Sequence, residues 1–147
     1  MQAQMLAPAA VLVAWSLVML FWMAFTRFPA LAKVGIAVGS APAGVRGQDS
    51  EGALPPQVNW KSHNYTHLME QPTVFYAAVV IIAIMGPSAA DALAAWIYVG
   101  LRVVHSIWQA TVNKVPVRFM LFLAGSLGLT FLAYRALSLT LFHDPGL

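Results

Sequence analysis

The sequence predicts an all-α fold, a bundle of four transmembrane helices, on three observations. Four apolar segments are each long enough to cross a bilayer core of about 30 Å, which takes roughly 20 helical residues. Of the 147 residues 60% are hydrophobic and only 9% charged, with a mean hydropathy of +0.73; a soluble domain carries about 25% charge. Two of the three connections are short, which makes neighbouring helices antiparallel. The length suits a single membrane domain over residues 1–147.

The first helix spans residues 5–26 and closes at Arg27. No positive side chain precedes Arg27, and the apolar stretch exceeds the roughly 7–15 residues of a signal-peptide core, so it reads as a retained transmembrane helix. Residues 28–59 form the one long loop. It carries Gly35, Gly39, Gly44, Gly47 and Gly52 with Pro29, Pro42, Pro55 and Pro56, and such a run should lack regular structure. The second helix spans residues 60–85, with polar first turns and an apolar part from Leu68. Gly86-Pro87 makes a tight turn, and Ser88-Ala89-Ala90-Asp91 has the pattern of a capping box opening the third helix, residues 89–112. After a link at 113–116, Pro116 suits the first turn of the fourth helix, residues 117–142.

The net charge is +3. The basic residues cluster at the ends of apolar runs, as topology signals do, rather than forming a nucleic-acid footprint. Lys33 and Arg46 lie in the long loop, flanked by Arg27 and Lys61, while Lys114 and Arg118 mark the last link. The positive-inside rule therefore puts the loop 28–59 and the link 113–116 in the cytoplasm and both termini outside it. Only Asp144 adds a charge beyond the fourth helix, and Arg135, near its outer end, is expected to snorkel to the interface. The chain has no cysteine, which excludes disulfides, cysteine metal sites and a thiolate of the chain's own. Any sulfur nucleophile must arrive with a substrate or cofactor.

Charges at the bilayer centre cost about 2.5–3.5 kcal/mol on insertion scales, so they mark candidate sites. Glu70 and Arg102 are two such charges. His63, His67 and Glu70 follow an i, i+4, i+7 spacing on one helical face, extended by Asn64 and Gln71; Arg102, His105, Gln109 and Asn113 make a second stripe. At about 1.5 Å per residue, Glu70 and His105 lie about 13 Å below the lysines at the interface, and Arg102 about 18 Å. The stripes are expected to meet, Glu70 to pair with Arg102, and Arg118 to stand at the mouth of a polar crevice that suits an anionic small molecule. Two other readings exist. Intramembrane polar residues can simply hold helices together. His63 and His67 also have a metal-ligand spacing, but the first helix offers no further ligand and no metal site is assigned. The five tryptophans read as interface or lipid contacts.

Glu70-Gln71-Pro72-Thr73-Val74-Phe75-Tyr76, together with Tyr98-Val99-Gly100-Leu101-Arg102-Val103-Val104-His105-Ser106 and Arg118, resembles the MAPEG family, the membrane-associated proteins of eicosanoid and glutathione metabolism. The resemblance covers roughly residues 60–135, and is to a bacterial-type member, which implies the inner membrane. It implies a homotrimer of four-helix subunits among membrane lipids, with glutathione as co-substrate in the cytoplasmic half of the subunit interface. Glu70 would hold the γ-glutamyl amino group, Arg102 would support the core of the site and His105 would contact the peptide. Arg118 would be the catalytic residue, stabilising the glutathione thiolate, since a nearby guanidinium lowers a thiol pKa from about 8.5.

Three positions depart from the family pattern. His67 replaces an asparagine, His63 an arginine, and Gln109 stands near the place of a tyrosine. Fewer permanent positive charges then face the glutathione carboxylates, and Arg27, Lys33 or Lys61 are the basic residues available to compensate. Two functions follow. One is a glutathione-dependent transferase or peroxidase acting on small lipophilic electrophiles or hydroperoxides. The other is a non-catalytic membrane protein of the same fold that binds a lipid or other anion, or stabilises a partner.

Overall fold

The computed structural model describes residues 1–143, so Asp144 lies outside the described residues. Five α-helices make four membrane-length spans: α1 (Gln2–Lys33), α2 (Pro56–Leu68) with α3 (Gln71–Met85), α4 (Ala89–Thr111) and α5 (Val115–Leu141). The combined α2–α3 span and α4 form the centre, with α1 packed on one flank and α5 on the other. The outer faces carry exposed apolar side chains such as Phe21, Ile84, Leu93, Met120 and Leu127, as lipid requires.

The first helix runs past its expected end at 26 to Lys33. Pro29 does not stop it, because the extra turns bury Leu31 beneath the loop, beside Ile36, Val38 and Val45. The long loop is correspondingly shorter than expected and is not without regular structure. It holds two 3₁₀ turns, Val38–Ser40 and Gly47–Ala53. Gly35 and Gly44 supply positive φ angles of 77° and 83° where the chain reverses. Leu54 is buried and Asn59 Nδ2 donates to the Glu51 carbonyl at 2.9 Å, which fastens the second turn to α2.

The expected helix at 60–85 starts earlier, at Pro56, and is broken at Met69–Glu70, where Glu70 adopts φ −87° and ψ −95°. Pro72 is the cause. It has no N–H to donate to the Leu68 carbonyl, and its ring crowds that turn. At the next turn, Ser88 and Asp91 form the expected capping box: Asp91 N donates to Ser88 Oγ at 3.2 Å and Ser88 N to Asp91 Oδ2 at 2.9 Å. Asn113, with φ 54°, turns the chain into α5, and Pro116 sits in its first turn.

The core is built on Met5, Leu12, Leu68, Phe75, Val79, Ile82, Tyr98 and Leu132. Phe75 and Tyr98 stack with ring centroids 4.4 Å apart. Polar bonds stitch the spans together. Tyr98 Oη donates to Gln71 Oε1 at 3.0 Å, and Gln71 Nε2 donates to Ser126 Oγ at 2.7 Å. Trp15 is a helix–helix contact rather than a lipid anchor, since its Nε1 donates to Ser106 Oγ at 3.0 Å. Arg135, near the outer end of α5, finds its partner on α4: its Nε and Nη2 donate to the two oxygens of the fully buried Asp91 at 2.7 and 3.1 Å.

That pair locks α4 to α5. Removing one member of a fully buried pair costs roughly 3–5 kcal/mol, and Arg135 keeps 29% of its side chain exposed. Asp91→Asn and Arg135→Met should each lower unfolding stability in detergent by about 2–3 kcal/mol. The double variant should lose clearly less than the sum, as measured by a double-mutant cycle.

Candidate functional site

The two polar stripes meet where α2 crosses α4. Arg102, only 1% exposed, is the floor of the site. Its Nη2 lies 2.7 Å from His67 Nδ1 and donates to the His67 carbonyl at 3.2 Å, while Nε and Nη1 are buried without a partner. The His67 imidazole must therefore accept at Nδ1 and is neutral in this arrangement. His67 also stacks on His105, with centroids 4.8 Å apart, and meets the edge of Phe122 at 5.7 Å. Behind it lie more buried polar atoms without a partner: both amide atoms of Asn64, Nδ1 of His105 and Oε1 of Gln109. Such groups are costly unless satisfied by water or ligand.

Glu70 does not pair with Arg102. The three ion pairs among the described residues are Arg27–Glu51, His63–Glu51 and Arg135–Asp91. The break before Pro72 removes Glu70 from the helical register of His63 and His67 and leaves it exposed. Arg102 is held by His67 instead.

His67 separates two cavities. The larger, about 540 Å³, lies on the α1 side and is lined by Arg27, Arg46, Glu51, His63, His67, Glu70 and Gln109 among others. The smaller, about 160 Å³, lies on the α5 side between His67, His105, Val115, Arg118, Phe119 and Phe122. Of the residues expected in one crevice, His63, His67, Glu70 and Gln109 thus share the large cleft. His105 and Arg118 face the small one, and Arg102 lies beneath. Arg118 is away from the large cleft because α5 packs on the far flank of α4 from α1; its Nη1 donates to Asn113 Oδ1 at 2.5 Å. No three His, Asp or Glu side chains among the described residues group as metal ligands.

A sequence model of the MAPEG family matches residues 5–138. The chain belongs to the MAPEG family. No curated protein sequence matches it. For this MAPEG protein the helical spacing of polar residues located the stripes on α2 and α4. It gave no notice of Arg46 and Glu51, which reach the cleft only because the loop folds back over α1 and α2. Neither has a motif around it; the ion pair that places Glu51 links the second 3₁₀ turn to His63 on α2, 12 residues away. Arg27, one of the three basic residues expected to compensate for the lost positive charges, does line the cleft.

The contacts of Arg102 predict a contrast. His67→Ala should destabilise the MAPEG protein by about 1–3 kcal/mol, because it strips a buried guanidinium of a partner. Glu70→Gln should change stability by less than about 0.5 kcal/mol, as exposed substitutions do. Thermal unfolding of both variants in detergent checks this. Equal losses would show that Glu70 shares in holding Arg102.

Proposed function

We propose that this integral membrane protein is a glutathione-dependent transferase or peroxidase acting on lipophilic electrophiles or hydroperoxides that arrive through the bilayer. Family membership supports the general class. The observation that carries the reading to this chain is the large cleft: two guanidiniums, two carboxylates and two imidazoles around about 540 Å³, above buried polar atoms that lack partners. Ligand sites commonly enclose about 300–1,000 Å³. Glutathione brings two carboxylates, one ammonium and a thiol, a complementary set.

In this reading Glu70 takes the γ-glutamyl ammonium, while Arg27, Arg46 and His63 face the carboxylates. His67, Gln109 and His105 contact the peptide over the guanidinium of Arg102. Arg118 polarises the sulfur and favours the thiolate, which then attacks the electrophile as the leaving group departs. The small cavity opens between the exposed side chains of Val115 and Phe119, where a neighbouring subunit of a homotrimer would complete the site. A second reading, a non-catalytic anion- or lipid-binding protein, is favoured by one observation: Arg118 is bonded to Asn113 and lies across His67 from the cleft.

Calorimetry with glutathione on the full-length protein in nanodiscs tests the first step, and binding at millimolar concentration is expected. Conjugation of 1-chloro-2,4-dinitrobenzene tests the second. Arg118→Ala should lower conjugation about a hundredfold and reduce thiolate absorbance, with binding only modestly weaker. Absence of glutathione binding would end the enzymatic reading. Binding without conjugation would favour the second one. Undiminished conjugation by Arg118→Ala would remove Arg118 from the chemistry.

The orientation follows from the basic residues around the loop and the last link. Reporter fusions at the C-terminus and within residues 40–50 of the protein expressed in a bacterial inner membrane should report opposite sides, the loop being cytoplasmic. A cytoplasmic C-terminal reporter would overturn it.

A further inference from the structure

One of the carboxylates in the cleft is already bound to the basic groups that a ligand carboxylate would need. Glu51 rides on the 3₁₀ turn Gly47–Ala53, and its oxygens lie 3.1 Å from His63 Nε2 and 4.0 Å from Arg27 Nη2. The same guanidinium grips the backbone of that turn, with Arg27 Nη2 donating to the Gly47 carbonyl at 3.0 Å. A Cβ at position 47 would stand 2.7 Å from Arg27 Nη1, so a larger residue there would push the guanidinium off its present seat against the chain. Arg27 Nε is buried with no partner.

We propose that Glu51 is an internal latch on the cleft: it holds Arg27 and His63 in place of a ligand carboxylate, and an incoming carboxylate ligand displaces it and loosens the turn 47–53. The identity of that ligand as glutathione rests on the function proposed above; the latch itself does not. The physics favours exchange. The side chain of His63 is 48% exposed and that of Glu51 30% exposed, so the contact is screened and weak. One carboxylate replaces another with little change in pairing. A neutral molecule cannot replace the charge of Glu51 between Arg27 and His63, so the latch favours anions.

Hydrogen–deuterium exchange and glutathione calorimetry on the full-length protein in nanodiscs test this with Glu51→Gln, using Asp49→Asn as a control of equal charge change. Asp49 caps the same turn through the Arg46 N–H at 2.8 Å and is not among the residues lining the cleft. Glu51→Gln should speed amide exchange in 47–53 without ligand and tighten glutathione binding about two- to fivefold, the equivalent of an exposed ion pair. Asp49→Asn should not tighten binding. In wild-type protein, glutathione should itself speed exchange in 47–53. Unchanged exchange in Glu51→Gln, unchanged or weaker binding, or equal tightening by Asp49→Asn would each overturn the latch. If wild-type protein binds no glutathione, the proposed function fails, and exchange in the ligand-free Glu51→Gln variant still decides the latch.

Discussion

Arg102 must have partners, because a buried guanidinium in the middle of a membrane bundle is costly without them. The chain meets this demand at one nitrogen, Nη2, at a break in its own backbone. Pro72 ends α2 at Leu68, and in that last turn the Thr66 and His67 carbonyls accept tighter bonds from the N–H groups of Met69 and Glu70 in place of the α-helical ones. The His67 carbonyl then accepts from Arg102, while the His67 ring offers Nδ1 to the same nitrogen. The guanidinium thus caps the C-terminal end of α2, where the helix dipole also favours a cation. One proline therefore shapes the floor of the site, turns Glu70 outward and fixes the orientation of His67.

The placement of His67 divides the polar interior. Its ring lies between a cleft bounded by α1 and the loop and a smaller cavity bounded by α5, and it contacts His105 and Phe122 on the latter side. Any ligand that uses both Glu70 and Arg118 must reach across this ring or be completed by a neighbouring subunit. The bundle around it is held by polar contacts at several depths. Asp91–Arg135 and Arg118–Asn113 bracket α4 and α5, Gln71 bridges Tyr98 to Ser126, and Trp15 reaches Ser106. In lipid there is little hydrophobic drive between helices, so hydrogen bonds and close packing carry more of their pairing.

The loop shows how a segment with weak local preferences becomes ordered. Its glycines and prolines predict irregular chain, and most of it has no helix or strand. Yet Arg27, reaching from the overlong end of α1, and Asn59, from the start of α2, hold the turn that carries Glu51. The cleft is therefore walled on one side by chain held in place by side chains reaching it from both flanking helices.

The sequence by itself determined the four spans, the capping box and the two polar stripes. Each of these rests on interactions within a few residues: apolar length against bilayer thickness, a side chain three positions from its own helix start, polar residues one turn apart. The MAPEG pattern in 70–76 and 98–106 was equally local. The tertiary structure alone decided which polar groups meet. Arg102 finds His67 across 35 residues, Arg135 finds Asp91 across 44 and Trp15 finds Ser106 across 91. A stripe on one helix says which face is polar. It does not say how far the facing helix is rotated or shifted, or where a proline will take a residue such as Glu70 out of register. Those are set by the packing of whole helices, and only the folded bundle contains them.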